Sequence, residues 1–211
     1  MEHYFTNNDN LKSEFKYLKY NYLNYEFNFI SDNGVFSKSK IDYGSRKLVE
    51  VILKNTTKEK LRILDVGCGY GFIGIVLSKV LNSNTDMTDV NKRAIHLANL
   101  NIKNNKVESN AFLSNIYENV TDKYDLIVTN PPIRAGKEVV YEILLKAANH
   151  LEDDGCLWFV IRKDQGAKSA IKDISDTYQV TLMGKDKGYY FFMAKKINSW
   201  VVKLHKKIFY G

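Results

Sequence analysis

Three features of the chain combine residue types and spacings suited to chemistry on an amino group. The first is Asn130-Pro131-Pro132, which holds the only two prolines in the sequence. A nitrogen conjugated to a base or an amide is a poor nucleophile, because its lone pair is delocalised. Acceptors pointed at its N–H bonds localise that pair and aim it at an electrophile. The Asn130 side-chain oxygen and the Pro131 carbonyl suit this work, while the prolines fix φ and remove donors that would compete. Ile133, the next residue, offers apolar contact. The second feature is Asp65-Val66-Gly67-Cys68-Gly69-Tyr70-Gly71. Glycine at 67 and 69 lets a ligand approach backbone that a Cβ would shield. The third is Asp89, 20 residues beyond Gly69 (69 to 89), a carboxylate able to accept hydrogen bonds from both hydroxyls of a ribose.

Such residues need a scaffold that brings them together, and the apolar patterning describes one. Ile63-Leu64-Asp65-Val66 reads as a buried strand and Phe72 to Leu81 as the helix after it. Thr85 to Asp89 and Lys92 to Ile102 repeat the pair. Further strands are expected at Val107 to Leu113, Tyr124 to Thr129, Leu157 to Ile161, Val180 to Met183 and Tyr189 to Ala194, with helices near Glu138 to Asn149 and Ala167 to Asp176. Alternation of this kind predicts an α/β fold, a mostly parallel seven-stranded sheet with helices on both faces. The glycine loop, Asp89 and Asn130 then all fall at the C-terminal ends of strands, where such sheets bind ligands. Upstream, Asn24, Glu26 and Asn28 alternate with Tyr25, Phe27 and Phe29 before an Asp32-Asn33-Gly34 turn, which predicts a small β-rich extension over 1–40. Leu48, Val49, Val51 and Ile52 carry helical spacing, with Asp42 or Ser45 as the N-cap. Residues 41–196 form the main domain. In a tail over 197–211, Trp200, Val201, Leu204 and Ile208 share one helical face, and Lys203, Lys206 and Lys207 lie on others. Docking of this basic amphipathic tail on the core is the favoured expectation.

An acid about 20 residues past a glycine loop suits a nicotinamide cofactor as well as other nucleosides. The loop here runs Asp-x-Gly-x-Gly-x-Gly, and with Asp89 it resembles the S-adenosylmethionine (SAM) signature of Rossmann-like methyltransferases. That resemblance implies SAM contacts from Asp65, Gly67, Gly69 and Asp89, and it places Asn115, after the third strand of the main domain, against the adenine. Asn-Pro-Pro resembles the turn of amino-methyltransferases acting on adenine, guanine or protein glutamine. The residue after it is often aromatic there and stacks on the target; with Ile133 in that place, Phe36 and Tyr43 become the stacking candidates. The wider set of Gly34-Val35-Phe36-Ser37-Lys38, Asp42-Tyr43-Gly44-Ser45, the glycine loop, Asn130-Pro131-Pro132-Ile133-Arg134-Ala135-Gly136-Lys137 and Ile161-Arg162-Lys163-Asp164-Gln165-Gly166-Ala167 resembles the RsmC-like family of ribosomal RNA small-subunit methyltransferases over roughly residues 3 to 195. The resemblance implies methylation of guanine N2 in 16S ribosomal RNA, as free RNA or in the 30S subunit, by a single-domain form. It also implies that Phe36 and Asp42 close over the cofactor.

Composition narrows the partners. A net charge of +7 and a pI near 9.1 favour an anionic one, and Arg134, Lys137, Arg162 and Lys163 flank the expected cleft, where they could hold phosphates while a base is extruded. With 45% hydrophobic and 26% charged residues and no apolar run of 18 or more, no membrane partner is expected. The polar start, Met1 to Asn10, lacks the pattern of a secretory signal, so the cytoplasm is the expected location. Cys68 and Cys156 form neither a Cys-x-x-Cys pair nor a His-flanked cluster, so no metal and no disulfide are expected. The oligomeric state is left open. Competing readings are a protein glutamine methyltransferase acting on a release factor, a DNA adenine methyltransferase without an evident target-recognition domain, and a non-catalytic RNA-binding module. Intact Asp89 and Asn130 weigh against the last.

Overall fold

The computed structural model describes residues 12–197; of the basic tail anticipated over 197–211, all but the first residue lies outside the described residues. A two-stranded antiparallel hairpin, β1 (Lys16–Tyr22) and β2 (Tyr25–Ser31), precedes the helix α1 (Tyr43–Asn55). Then follow β3 (Arg62–Val66), α2 (Phe72–Val80), β4 (Asn84–Asp89), α3 (Lys92–Asn105), β5 (Ser109–Leu113), β6 (Tyr124–Thr129), α4 (Lys137–His150), β7 (Leu151–Arg162), α5 (Ala167–Ile174), β8 (Tyr178–Asp186) and β9 (Tyr189–Lys196).

The seven strands of the main sheet lie in the order β5-β4-β3-β6-β7-β9-β8. Neighbours from β5 to β7 are parallel, and β9 runs antiparallel to both β7 and β8. This is the α/β arrangement that the alternating pattern predicted. The order reverses between β3 and β6: from β3 the chain steps out to β4 and β5, then returns to the other side. Loops leaving β3 and β6 therefore diverge and open a crevice at their C-terminal ends. The glycine loop leaves β3 there and Asn130 follows β6 there.

Both faces of the sheet are covered, which is why its strands read as apolar runs. Along β7, Trp158 and Val160 face the core under α1, α2 and α3, while Leu157, Phe159 and Ile161 face the core under α4 and α5. The hairpin shares the first of these cores: Tyr20, Phe27 and Phe29 are buried against Phe72 and Tyr70. Two asparagines of α3 hold it there. Asn101 accepts from Ile30 N and donates to the Ile30 carbonyl, and Asn105 does the same for Asn28, at 2.7 to 3.0 Å. Asn101 Nδ2 also donates to the Tyr70 carbonyl at 2.9 Å, so one side chain ties the hairpin to the glycine loop.

Candidate active site

The glycine loop is built to keep its backbone bare. Gly67 and Gly69 have φ of +74° and +56°, a region that costs any residue with a Cβ. A Cβ at either position would meet no protein atom within 4 Å, because both border a cavity. Gly67 N and Cys68 N donate to the Thr88 carbonyl at 2.8 and 2.9 Å, pinning the loop to the end of β4. Next along β4, Asp89 Oδ2 accepts from Gly69 N and Oδ1 from Asn91 N, both at 2.9 Å. Burial raises the Asp89 pKa, and the amides of Asn91, Gly69 and Val90 oppose that rise. Three amides occupy three of about four acceptor positions on the carboxylate, so the group is fixed in place and can still accept from a ligand hydroxyl.

The cavity measures about 390 Å³, within the range of small-molecule sites. Asp89, Ser114 and Asn115 stand on its polar side, and Val66, Val90, Ala94 and Ile116 give an apolar wall suited to a flat ring. Phe36 lies at its edge, 39% exposed. Asn130, Pro131 and Pro132 form the side opposite the Asp89 carboxylate loop, at the end of β6, where Thr129 Oγ1 donates to the Val66 carbonyl at 2.8 Å and ties β6 to β3. The bare glycine backbone, the fixed carboxylate and the apolar wall fit SAM: Gly67, Gly69, Asp89 and Asn115 are the residues that would hold it. Bound there, SAM supplies an electrophilic methyl on a sulfonium.

Asn130 is oriented by α1. Its Nδ2 donates to Asp42 Oδ2 at 3.0 Å and to Ser45 Oγ at 2.8 Å. An ionised carboxylate only accepts, so it demands the amide nitrogen and turns Asn130 Oδ1 the other way. The same Asp42 oxygen caps α1 by accepting from Ser45 N at 2.8 Å, so helix cap and active-site support are one group. The arrangement leaves a rigidly held acceptor, Asn130 Oδ1, to receive an N–H.

The structure gathers some of the expected residues and disperses others. Phe36, Gly67, Gly69, Asp89, Asn115, Asn130, Pro131 and Pro132 share the cavity. Asp42 stands behind Asn130 and borders a smaller recess with Gly67 and Gly69. Asp65 is buried beneath the loop, where Oδ2 accepts from Gly74 N at 2.9 Å and Oδ1 has no partner; burial pushes its pKa up to about 7. It braces the first turn of α2 from below and does not line the cavity. Ile133 opens a 3-10 turn, Ile133–Ala135, and packs against the core under α4. Of the four expected cations, Arg134 and Lys163 are exposed. Lys137 pairs with Asp173 at 3.4 Å and lies over the Tyr141 ring. Arg162 is forked by Asp164 at 3.1 and 3.2 Å. Ser45, read only as a helix cap, supplies an Asn130 contact from 85 residues away, for which local spacing carries no signal. Cys68 is a buried thiol, its pKa raised chiefly by burial.

The model of the methyltransferase small domain matches residues 26–193. The chain is 42% identical over 201 residues to the uncharacterized protein YbxB of Bacillus subtilis, covering 93% of this chain and 99% of that one. It is 35% identical over 146 residues to ribosomal RNA small subunit methyltransferase C of Psychromonas ingrahamii, covering 66% of this chain and 41% of the relative. The Thermus thermophilus 16S rRNA N2 G1207 methyltransferase, solved with AdoMet and guanosine, superposes with a TM-score of 0.78 at 23% identity, covering 89% of this chain and 52% of that one. The chain thus spans about half the length, or less, of these ribosomal RNA methyltransferases. Among the described residues, no helix is long and apolar enough to cross a membrane.

Proposed function

Since the chain belongs to the methyltransferase small domain family and uses SAM, we propose that it methylates an exocyclic amino nitrogen, guanine N2 of 16S ribosomal RNA. The observation that carries this reading is the fixed Asn130 amide. With Nδ2 committed to Asp42 and Ser45, Oδ1 accepts one N–H of the target amine and the Pro131 carbonyl is the second acceptor. Together they localise the nitrogen lone pair for attack on the methyl that SAM would supply; the methyl C–S bond would break to leave S-adenosylhomocysteine, and the methylated nitrogen would then lose one proton to solvent. As the nitrogen becomes tetrahedral and positively charged, the bonds to both acceptors strengthen, so this part of the site favours the transition state over the bound substrate.

Guanine N2 is supported by the combined motifs around Phe36, Asp42, Asn130 and Arg162, by relatives that bear the name ribosomal RNA small subunit methyltransferase C, and by the net charge of +7. The test is to supply the protein with radiolabelled SAM and, separately, 16S RNA, 30S subunits and a release factor, and then to digest labelled RNA to nucleosides. Label in N2-methylguanosine is expected. Label on release-factor glutamine and none on RNA would overturn the reading. Asn130→Ala is expected to keep SAM and RNA affinities within a few-fold while single-turnover methylation falls by roughly two to three orders of magnitude, the scale for losing one preorganised polar group.

A further inference from the structure

Beside the Asn130 support lies a cluster of rings and cations that the transfer chemistry does not use. Tyr43, the first residue of α1, and Tyr189, the first of β9, sit with ring centroids 5.6 Å apart and tilted by 44°. The cluster adjoins the Asn130 support without lining the cavity itself. A Cβ at Gly44 would lie 2.9 Å from Tyr189 Cε1 and 3.1 Å from Asp42 Oδ2, the oxygen that holds Asn130. Arg46 and Lys187 lie over the Tyr43 ring, at 5.4 and 4.8 Å, and Arg162 lies over the Tyr189 ring at 5.4 Å.

The carboxylates nearby are already committed. Asp186 accepts from the Tyr43 hydroxyl at 2.6 Å and lies 3.8 Å from Lys47 Nζ, and Asp164 holds Arg162. Arg46 and Lys187 are exposed, and among the described residues neither has a carboxylate within ion-pairing distance. Their charges are spread over an aromatic ring that leaves the N–H groups open to an incoming anion. The turn carrying Lys187 is itself fixed, since Lys163 N donates to the Gly188 carbonyl at 2.9 Å.

The geometry points to this face, the first turn of α1 with the β8–β9 turn, as the track for single-stranded RNA next to the target nucleotide. Arg46 and Lys187, held over the Tyr43 ring, contact its phosphates, and the half-buried Tyr189 offers a neighbouring base the ring surface that Arg162 and Tyr43 leave uncovered. The assignment rests on the RNA reading above and extends it from the reacting amine to the strand that delivers it. Phosphate contacts from unpaired cations combined with aromatic surface are what sequence-tolerant binding of a single strand requires. An acidic protein segment would use the same cations but has no base to lay on the Tyr189 ring.

The experiment compares Arg46→Ala/Lys187→Ala with Lys54→Ala/Lys123→Ala, a control of equal charge change at the other end of the sheet. RNA affinity is measured from low to high salt on whichever of 16S RNA or 30S subunits the wild type methylates, with SAM titrations and single-turnover methylation alongside. Losing two contacts to a single strand is expected to lower the log–log salt slope by about 1.4, at about 0.7 per phosphate. Affinity near physiological salt is expected to fall about tenfold, as loss of sequence-independent phosphate contacts predicts, with SAM binding and the rate at saturating RNA unchanged. An affinity and slope matching the control would overturn the track and leave the methylation assignment standing. A wild type that labels a release factor and no RNA would remove both.

Discussion

Asp42 gives a sharp test of how Asn130 is held. Among the described residues, its carboxylate is the one partner of the Asn130 amide that discriminates nitrogen from oxygen, because the Ser45 hydroxyl, at 2.8 Å, can accept or donate. Asp42→Ala leaves the hydroxyl alone, and the amide becomes free to rotate and turn Nδ2 toward the target amine. A hydrogen bond to a charged group contributes about 1.5–3 kcal/mol. If that energy is what fixes the orientation, its loss lowers methyl transfer about tenfold to a hundredfold, at about 1.4 kcal/mol per decade. The same change removes the cap of α1, where Asp42 accepts from Ser45 N at 2.8 Å, and costs about 1 kcal/mol of stability. Asp42→Asn separates the two effects. It caps equally well and its oxygen can still accept from Asn130, so stability is retained and the rate falls only several-fold. The assay is single-turnover methylation at saturating RNA and SAM, with thermal unfolding and calorimetric SAM titration on each variant. A wild-type rate in a folded Asp42→Ala protein would refute the orientation argument. A loss of SAM affinity as large as the loss of rate would instead put Asp42 on the cofactor, as the motif resemblance implied.

Asp89→Ala is expected to weaken SAM binding by about 2–4 kcal/mol through loss of ribose hydrogen bonds, read by calorimetry. It also strips Gly69 N of its acceptor, so a lower melting temperature is expected with it. Asp65, raised to about 7 in the fold against an ordinary 3.8, binds its proton more tightly folded than unfolded. Its contribution to stability is therefore greatest below about pH 4 and is lost as pH rises toward 7. Relative to wild type, Asp65→Asn is expected to gain stability from pH 4 to 7 in denaturant titrations of ligand-free protein and to change little above; a pH-independent difference would show that Asp65 is ionised throughout.

The alternating strands and helices were legible because the sheet is covered on both faces: Leu157–Ile161 has no polar side to disguise it, and in Ile63–Val66 even the one polar residue, Asp65, is buried. Strand β1 was less so. Its inward residues are Leu18, Tyr20 and Tyr22, but Tyr17 on the outer face is 76% exposed, which blurs the period of two. The first half of β7 was missed for a related reason. Glu152, Asp153, Asp154 and Gly155 resemble a turn, and they fall in the register irregularity between the pairs Tyr124–Leu151 and Leu126–Cys156. Within the site, the glycine loop, Asp89 and the Asn-Pro-Pro turn are local motifs and could be read directly. The Asp42 bond to Asn130 joins residues 88 positions apart, and no local spacing announces it. The cations were hardest to read, because a lysine or arginine in sequence carries no sign of whether a carboxylate such as Asp164 or Asp173 will neutralise it.

The two asparagines of α3 also bear on how copies of this protein avoid one another. A two-stranded hairpin at the margin of a domain normally offers a free row of amides and carbonyls on which another chain can add a strand. On β2, the positions that would seed such growth, Asn28 and Ile30, give both their N–H and their C=O to Asn105 and Asn101. The helix acts as a neighbouring strand with side-chain amides in place of backbone ones, and the edge is closed before another molecule can reach it. The other strand carries Lys16 and Lys19, whose charges repel a second copy. Replacing Asn101 and Asn105 with leucine would keep α3 helical but reopen that edge, so strand-mediated self-association, and not simple unfolding, is the failure to expect.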